Sequence, residues 1–293
     1  MKVFVTGATG NIGAAVVTEL LAHSHEVIGL ARSETSAAKL EAAGASAVRG
    51  GLADLDVIRS AAADSDGVIH LAFSNDFSAP EALAAGIAEE TAAITAVGEA
   101  LIGSGRPFVV CSGTPSIPGR ASIESDPLPL DGPVGGRAVA VDRTLALKDR
   151  GVRSSAVRLP RTVHRNGEGG FAGILTQIAR SSGLSGYPGD GSQRWPAVHS
   201  ADAAALFRLA LEAAPAGTSW HAVADEGDPV RAIAEIIGRR LGVPVGPAPA
   251  ETYGAIGAVF ALDQPSSSAH TREILGWEPT GPSLLEDLEL IRP

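Results

Sequence analysis

The sequence predicts an α/β protein built on a doubly wound parallel sheet, and three observations carry that reading. Up to about residue 160, short β-branched runs alternate with longer Ala- and Leu-rich segments at helical spacing, the rhythm of β-α-β units. Three glycines, Gly7, Gly10 and Gly13, stand where the first strand candidate meets the first helix candidate. The 293 residues, 45% of them hydrophobic, suffice for one large core or two unequal lobes, since compact domains usually hold roughly 100–200 residues.

In chain order the strand candidates are KVFVTG, HEVIGLA, SAVRG, GVIHLAF, RPFVVCSG and RSSAVRLP, each short and rich in β-branched residues. Between them, IGAAVVTELLAH, SAAKLEAAG, LDVIRSAAADS and ALAAGIAEETAAITAVGEALIGSG place apolar residues every three or four positions, as helices lying on a sheet must. Crossovers of this length demand parallel pairing. After Pro160 the rhythm loosens into RNGEGGF, GYPGDGSQRWP and LGVPVGPAPAETYG, loops of the kind that cover sites. Helices at about 201–213 and 229–241 interrupt them, the first capped by Ser200 or Asp202 and the second opening near Asp228 and Pro229. No repeat, heptad run or clean linker is present.

Composition removes several function classes. A formal net charge of -10 works against binding a polyanion, because nucleic-acid affinity comes largely from Lys and Arg neutralising phosphates. The single cysteine, Cys111, cannot form an internal disulfide, which fits a reducing, cytoplasmic setting. The opening MKVFVTGATG has one Lys and a short apolar run that breaks at glycine, so neither a signal peptide nor a membrane span is expected there. The seven histidines lack metal-ligand spacing, so no metal is expected. No G-x-S-x-G elbow or G-x-x-x-x-G-K-[ST] loop occurs, which leaves ester hydrolysis and P-loop NTP hydrolysis without machinery.

The strongest motif is VFVTGATGNIG, running directly into the apolar AAVVTELL. Gly7 permits the tight turn, Gly10 lets the backbone approach a diphosphate, and Gly13 lets helix and strand pack closely. The helix N-terminus then favours phosphate by up to ~2 kcal/mol in good geometry. This predicts a Rossmann-type dinucleotide-binding domain over residues 1–160, to which residues about 197–225 return, with a small C-terminal substrate lobe mainly over 161–293. At the end of the second strand candidate stand Arg32 and Ser33, with Lys39 further on. A guanidinium there accommodates a 2′-phosphate, so NADP(H) is favoured over NAD(H). Glu34 stands close enough to compete for that position, and a solvated Arg32 is the plain alternative.

TGATGNIG, the HLA of His70 to Ala72, GDGSQRWPAVHSADAA from Gly189 and the closing TREILGWEPTGPSLLEDLE together resemble extended or atypical short-chain dehydrogenase/reductases of the NAD-dependent epimerase/dehydratase group. The resemblance covers nearly the whole chain. It implies a coenzyme over Gly7, Thr9, Gly10, Asn11, Ile12 and Gly13, an adenine near Gly51 and Leu52, and a nicotinamide ribose near Leu71 and Ala72. By the same analogy, a homodimer through helices flanking the fourth and fifth strands is an expectation.

The departures from that family bear on chemistry. The family's catalytic helix carries a Tyr and, four residues later, a Lys. Here the only tyrosines are Tyr187 and Tyr253, and neither is followed by a Lys. Matching VGGRAVAVDRTLAL through Asp142 places Val134 at the Tyr position and Ala138 at the Lys position. The family's Ser or Thr aligns with Gly113, flanked by Ser112 and Thr114.

Candidates to polarise or protonate an acceptor are therefore Ser112, Thr114 and His164, each of which could instead serve the backbone structurally. Arg137 is a candidate for the coenzyme, or a solvated helix-start arginine. Phe73, Asp76 and Phe77 after the fourth strand, with Tyr187 and Trp195 around GDGSQR, are candidates to line an apolar substrate pocket, and the last two could equally be core. His199 reads as an anchor before a helix. Three functions follow. The first is an NADPH-dependent reductase of a small, mostly apolar carbonyl, enone or imine compound. The second is a non-catalytic NADP-binding redox sensor, and the third a sugar-nucleotide epimerase or dehydratase, whose reactions need the Tyr base.

Overall fold

The structure is a computed structural model that describes residues 1–293 apart from Asn75, Phe77, Ser78, Pro133 and Pro293. Its first strand, β1 (Lys2–Thr6), buries Val3, Phe4 and Val5 completely, as a strand covered on both faces must. The chain continues through α1 (Asn11–Ala22), β2 (Glu26–Ala31), α2 (Glu34–Ala42), β3 (Ser46–Arg49), α3 (Leu55–Ala63), β4 (Gly67–His70), α4 (Pro80–Leu101), β5 (Pro107–Gly113), α5 (Gly135–Leu145) and β6 (Arg153–Leu159). Then come β7 (Thr162–His164), α6 (Gly170–Ser182), β8 (Ser185–Tyr187), β9 (Arg194–His199), α7 (Ser200–Ala213), β10 (Thr218–His221), β11 (Asp225–Pro229), α8 (Val230–Leu241) and β12 (Val245–Pro247).

Seven strands form one sheet in the order β10-β6-β5-β4-β1-β2-β3. The pairs β1 with β2, β1 with β4, β2 with β3 and β4 with β5 are parallel. On one face Phe4, Val68, Phe108 and Val110 pack with Ile58 of α3, Ala93 and Val97 of α4 and Val141 of α5. Each fully buried large apolar side chain contributes about 1.5–3 kcal/mol.

Two element ends differ from the sequence expectation for local reasons. The fourth strand stops at His70 because the Thr6 hydroxyl and carbonyl draw in the next amides: Leu71 N donates to Thr6 O at 3.2 Å, and Leu71 N and Ala72 N lie 3.3 Å from Thr6 Oγ1. The long fourth helix ends at Leu101, short of the expected stretch, because Gly103 and Gly105 take φ of 71° and 68°, which continue no right-handed helix.

The contacts divide the chain into two compact units. The first is Met1–Ser112, Pro127–Arg158 and Ala204–Trp220, and the second Gly113–Asp126, Leu159–Ala203 and His221–Pro293. The returning segment thus spans fewer residues than 197–225, and Gly113–Asp126, inside the span assigned to the first domain, belongs to the second unit.

In the second unit β7, β9 and β11 make a three-stranded sheet, β8 and β12 pair in parallel, and α6 and α8 cover a core containing Leu175, Trp195, Ile233, Ile237 and Phe260. Asp202 accepts hydrogen bonds from Thr280 N and Gly281 N at 2.9 Å each, and its carbonyl accepts Trp277 Nε1, so the WEPTG stretch is stitched to the first turn of α7. Among the described residues no helix is long and apolar enough to cross a membrane.

Candidate functional site

Strand order reverses between β1 and β4, and the turn after β1 opens at the carboxyl edge there, where ligands of open parallel sheets bind. Its three glycines answer three different constraints. Gly7 holds φ +69°, and a Cβ on it would lie 2.8 Å from Ala72 N and 2.9 Å from the Leu71 carbonyl carbon. A Cβ on Gly13 would stand 2.0 Å from Gly7 O, so helix and turn touch main chain to main chain. A Cβ on Gly10 would meet only Gly7 O, at 3.4 Å. The space over Gly10 is therefore open, as a backbone that receives a diphosphate requires. Gly10 caps α1 with no side-chain hydrogen bond and no acidic residue follows in the first turn, which leaves the helix amides to an anion. Thr9 and Ile12 are half-buried and Asn11 is exposed along this rim. These residues fit the pyrophosphate of a dinucleotide.

At the end of β2, Arg32 is exposed, and it makes no ion pair or hydrogen bond among the described residues. Its Cγ and Cδ would lie 3.7 and 3.8 Å from a Cβ on Gly51, so two of the expected adenosine residues adjoin. Gly51 N donates to Asp54 Oδ2 at 2.7 Å, which fixes that bend, while Leu52 is buried in the core. Glu34 is turned to Arg49 at 3.2 Å. The Ser33 hydroxyl caps α2, accepting Ser36 N at 3.1 Å, so its hydrogen-bonding capacity is already engaged locally. Lys39 sits in the last turn of α2, about 8 Å along the axis from the helix start where Ser33 stands.

At the end of β4 the half-buried Leu71 and Ala72 lie on Gly7, held by Thr6. The same hydroxyl meets His70 Nδ1 at 2.9 Å, and His70 Nε2 is buried without a partner. Burial, assisted by the Arg137 charge, pushes His70 down to about 3, so the ring stays neutral. At the end of β5, Ser112 is half-buried and its hydroxyl makes no hydrogen bond among the described residues. Burial pushes the neighbouring Cys111 thiol up to about 11, away from thiolate chemistry.

Several expected site residues need correction. Arg137 does not present a free guanidinium: Nε and Nη2 reach the two Glu90 oxygens at 2.8 Å each, and the group lies 4.0 Å from the centre of the Phe73 ring. Phe73 is thereby engaged with α5. Asp76 is exposed, and Phe77 lies outside the described residues. Val134 is the exposed residue preceding α5 and Ala138 is buried, so neither position offers a proton-transfer group.

Four of the corrected residues fall in the second unit. His164 is only 1% exposed, with Nδ1 3.0 Å from Asp287 Oδ2, and Asp287 also accepts Asn166 N and Gly167 N. It ties a loop to the short helix Leu284–Leu288 and cannot reach a substrate from there. Thr114 is buried, and its hydroxyl and carbonyl face Gln264 Nε2. Trp195 is 0% exposed among Phe171 and Phe260, and Tyr187 is 7% exposed, so both build core rather than an open aromatic wall. His199 immediately precedes α7, where Ala201 N approaches its Nδ1 at 3.4 Å. The GDGSQR loop borders a shallow recess of about 490 Å³ with Ala261 and Asp263, and Asp263 pairs with Arg194 at 2.8 Å.

Residues 3–223 match the family model described as NAD dependent epimerase/dehydratase family. The chain belongs to that family. Members are enzymes that use nicotinamide coenzymes, and the Gly7 to Gly13 turn is this chain's fit to one. An uncharacterised protein of Schizosaccharomyces pombe is 42% identical over 98% of both chains. A 2-alkyl-3-oxoalkanoate reductase of Stenotrophomonas maltophilia is 29% identical over 83% of this chain and 77% of its own. Among solved structures, a UDP-glucose 4-epimerase of Thermotoga maritima superposes with TM-score 0.76 at 21% identity, covering 99% of this chain and 97% of its own, and shows the fold.

Sequence reasoning missed Thr6, Asp54 and Glu90. Thr6 and Asp54 act on the main chain of the site, and Glu90 holds Arg137 across two helices. Thr6 was legible as a hydroxyl at the very end of the first strand, whereas nothing local in the sequence marks the Glu90 to Arg137 pairing.

Proposed function

We propose that the protein is an NADPH-dependent reductase of a small, mostly apolar carbonyl, enone or imine compound. The observation that carries this reading is the pairing of an intact coenzyme turn with an uncommitted hydroxyl, that of Ser112, at the carboxyl edge of the same sheet. Epimerisation or dehydration begins by taking a proton from a substrate, and needs a base. Tyr187 and Tyr253 are both buried, and burial pushes Tyr253 up to about 12. Reduction needs only a hydrogen-bond donor to the acceptor atom and a proton from water, which a serine hydroxyl can relay. A coenzyme whose diphosphate is held by the turn of Gly7, Gly10 and Gly13 would supply the hydride. Ser112 would hold the acceptor oxygen or nitrogen as it gains negative charge.

The preference for NADPH rests on Arg32, an unpaired guanidinium beside Gly51, with the competing Glu34 drawn to Arg49. The relative named as a 2-alkyl-3-oxoalkanoate reductase supports reduction. The family description favours a second reading, a sugar-nucleotide epimerase or dehydratase. Incubation of purified protein with NADPH and a panel of aldehydes, ketones, 3-oxo acids, enones and cyclic imines should consume NADPH on at least one class. Tight NADPH binding with no turnover on any class would favour a coenzyme-responsive regulator instead. Conversion of UDP-glucose in the presence of NAD would favour the second reading.

A further inference from the structure

Two carboxylates stand beside the residues that would take a 2′-phosphate. Glu34 follows Arg32 by two positions, opens α2 and is 93% exposed. The Asp54 carboxylate would lie 3.8 Å from a Cβ on Gly51, the glycine against which the Arg32 stem rests. Near neutral pH a phosphate monoester carries a charge of about −1.5 to −2. One guanidinium answers part of that charge, and the carboxylates oppose the rest. Neither of the other polar groups expected there makes up the difference: the Ser33 hydroxyl caps α2, and Lys39 stands in the last turn of that helix.

Arg49, the last residue of β3, supplies a second cation. Pairing of β2 with β3 sets Arg49 opposite Ala31, and Gly50 N donates to Ala31 O at 3.1 Å, so the two strands end level with each other. From there Arg49 Nη1 donates to Glu34 Oε2 at 3.2 Å, and its guanidinium makes no other hydrogen bond among the described residues. The cation thus stands against the first residue of α2, while Arg32 stands just before that helix with its stem on Gly51.

Arg49 can exchange its partner. The pair with Glu34 is a single bond between side chains that are 50% and 93% exposed, and such a pair holds weakly in water. A phosphate carries more charge and meets a guanidinium in a two-pronged geometry, so it outcompetes one exposed carboxylate.

We propose that Arg49 is a second ligand of the coenzyme's 2′-phosphate and leaves Glu34 to bind it, so that Arg32 and Arg49 grip the group from the ends of adjacent strands. This deepens the NADPH reading above and rests on it. Glu34 is then a competitor for Arg49, and removing its charge frees the cation and lessens the repulsion.

The test is calorimetry on the full chain with adenosine 2′,5′-bisphosphate and AMP, which differ only in the 2′-phosphate. The proteins are wild type, Arg49→Met, Glu34→Gln, the double variant and Arg32→Met; every substituted side chain is exposed, so the fold tolerates the changes. Wild type should bind the bisphosphate about tenfold or more tighter than AMP, and Arg49→Met should lose most of that preference while binding AMP as wild type does. Glu34→Gln should tighten the bisphosphate, and in that background Arg49→Met should still weaken it about tenfold. An unchanged preference in Arg49→Met would overturn the proposal. A loss that disappears once Glu34 is neutral would also overturn it, since Arg49 would then act only by restraining Glu34. An equal loss for AMP would do the same by placing Arg49 on the adenosine. Any of these failures, in a wild type whose preference for the bisphosphate is abolished by Arg32→Met, leaves the NADPH reading standing on Arg32 alone. A wild type that does not distinguish the two nucleotides would overturn both.

Discussion

The turn after β1 and the entry to α5 lie in one unit, and they show opposite ways of building a site. At the turn the constraints are main-chain constraints: Gly7 against Ala72 N, Gly13 against Gly7 O, and open space over Gly10. At the entry to α5 the backbone is as tightly packed, since a Cβ on Gly135 would lie 2.2 Å from Leu130 O. There, however, the residues expected from the sequence to stand at the catalytic positions are Val134 and Ala138, and the cation between them, Arg137, is spent on Glu90. Binding written in backbone geometry survives wherever the fold survives. Chemistry written in side chains can be replaced while the helix stays in place.

That contrast can be broken at either end. The largest effect is expected for Gly13→Val, whose side chain would collide with Gly7 O; a loss of more than about 4 kcal/mol in denaturant unfolding is expected. A near-native stability would mean that the turn relaxes easily and that its geometry is not the constraint. Next is Glu90→Ala. Glu90 is 3% exposed and holds a two-pronged ion pair, so removing it strands Arg137 and should cost about 3–5 kcal/mol. A change below about 1 kcal/mol would show that the Phe73 ring and water suffice for Arg137.

The last effect is confined to acid pH. His70 is held near 3 in the folded protein against an ordinary 6.5, so the unfolded chain takes up a proton first as pH falls. Its contribution is complete above pH 6.5 and fades between 6.5 and 3, by up to about 1.4 kcal/mol per pH unit. In His70→Asn the stability curve should be flatter over that window. An unchanged slope would place the acid sensitivity elsewhere.

The fold was legible because its signals are repetitive. Six β-branched runs and the helical spacing between them each report burial against the sheet, and β1 to β6 lie where those runs lie. The coenzyme turn was legible because only glycine satisfies its close approaches. The remaining site residues were less so. His164 looked like a loop histidine able to exchange protons, yet its partner Asp287 lies 123 residues away in sequence. Trp195 was hidden in the same way, since its neighbours Phe171 and Phe260 come from distant segments. Arg32 could be singled out from its strand-end position, but that Glu34 turns to Arg49 depended on β2 pairing with β3. Long-range pairing decides which polar groups are already spent, and a linear sequence does not display it.

The most direct test of the account is a calorimetric titration of NADPH into wild type and Gly10→Asp. The aspartate has room above the turn, so the variant should fold as wild type does while setting a negative charge where the diphosphate belongs. The account predicts one binding event per chain in wild type and at least a hundredfold weaker binding in the variant at equal melting temperature. Equal affinity in the two proteins, or no heat with wild type, would contradict it.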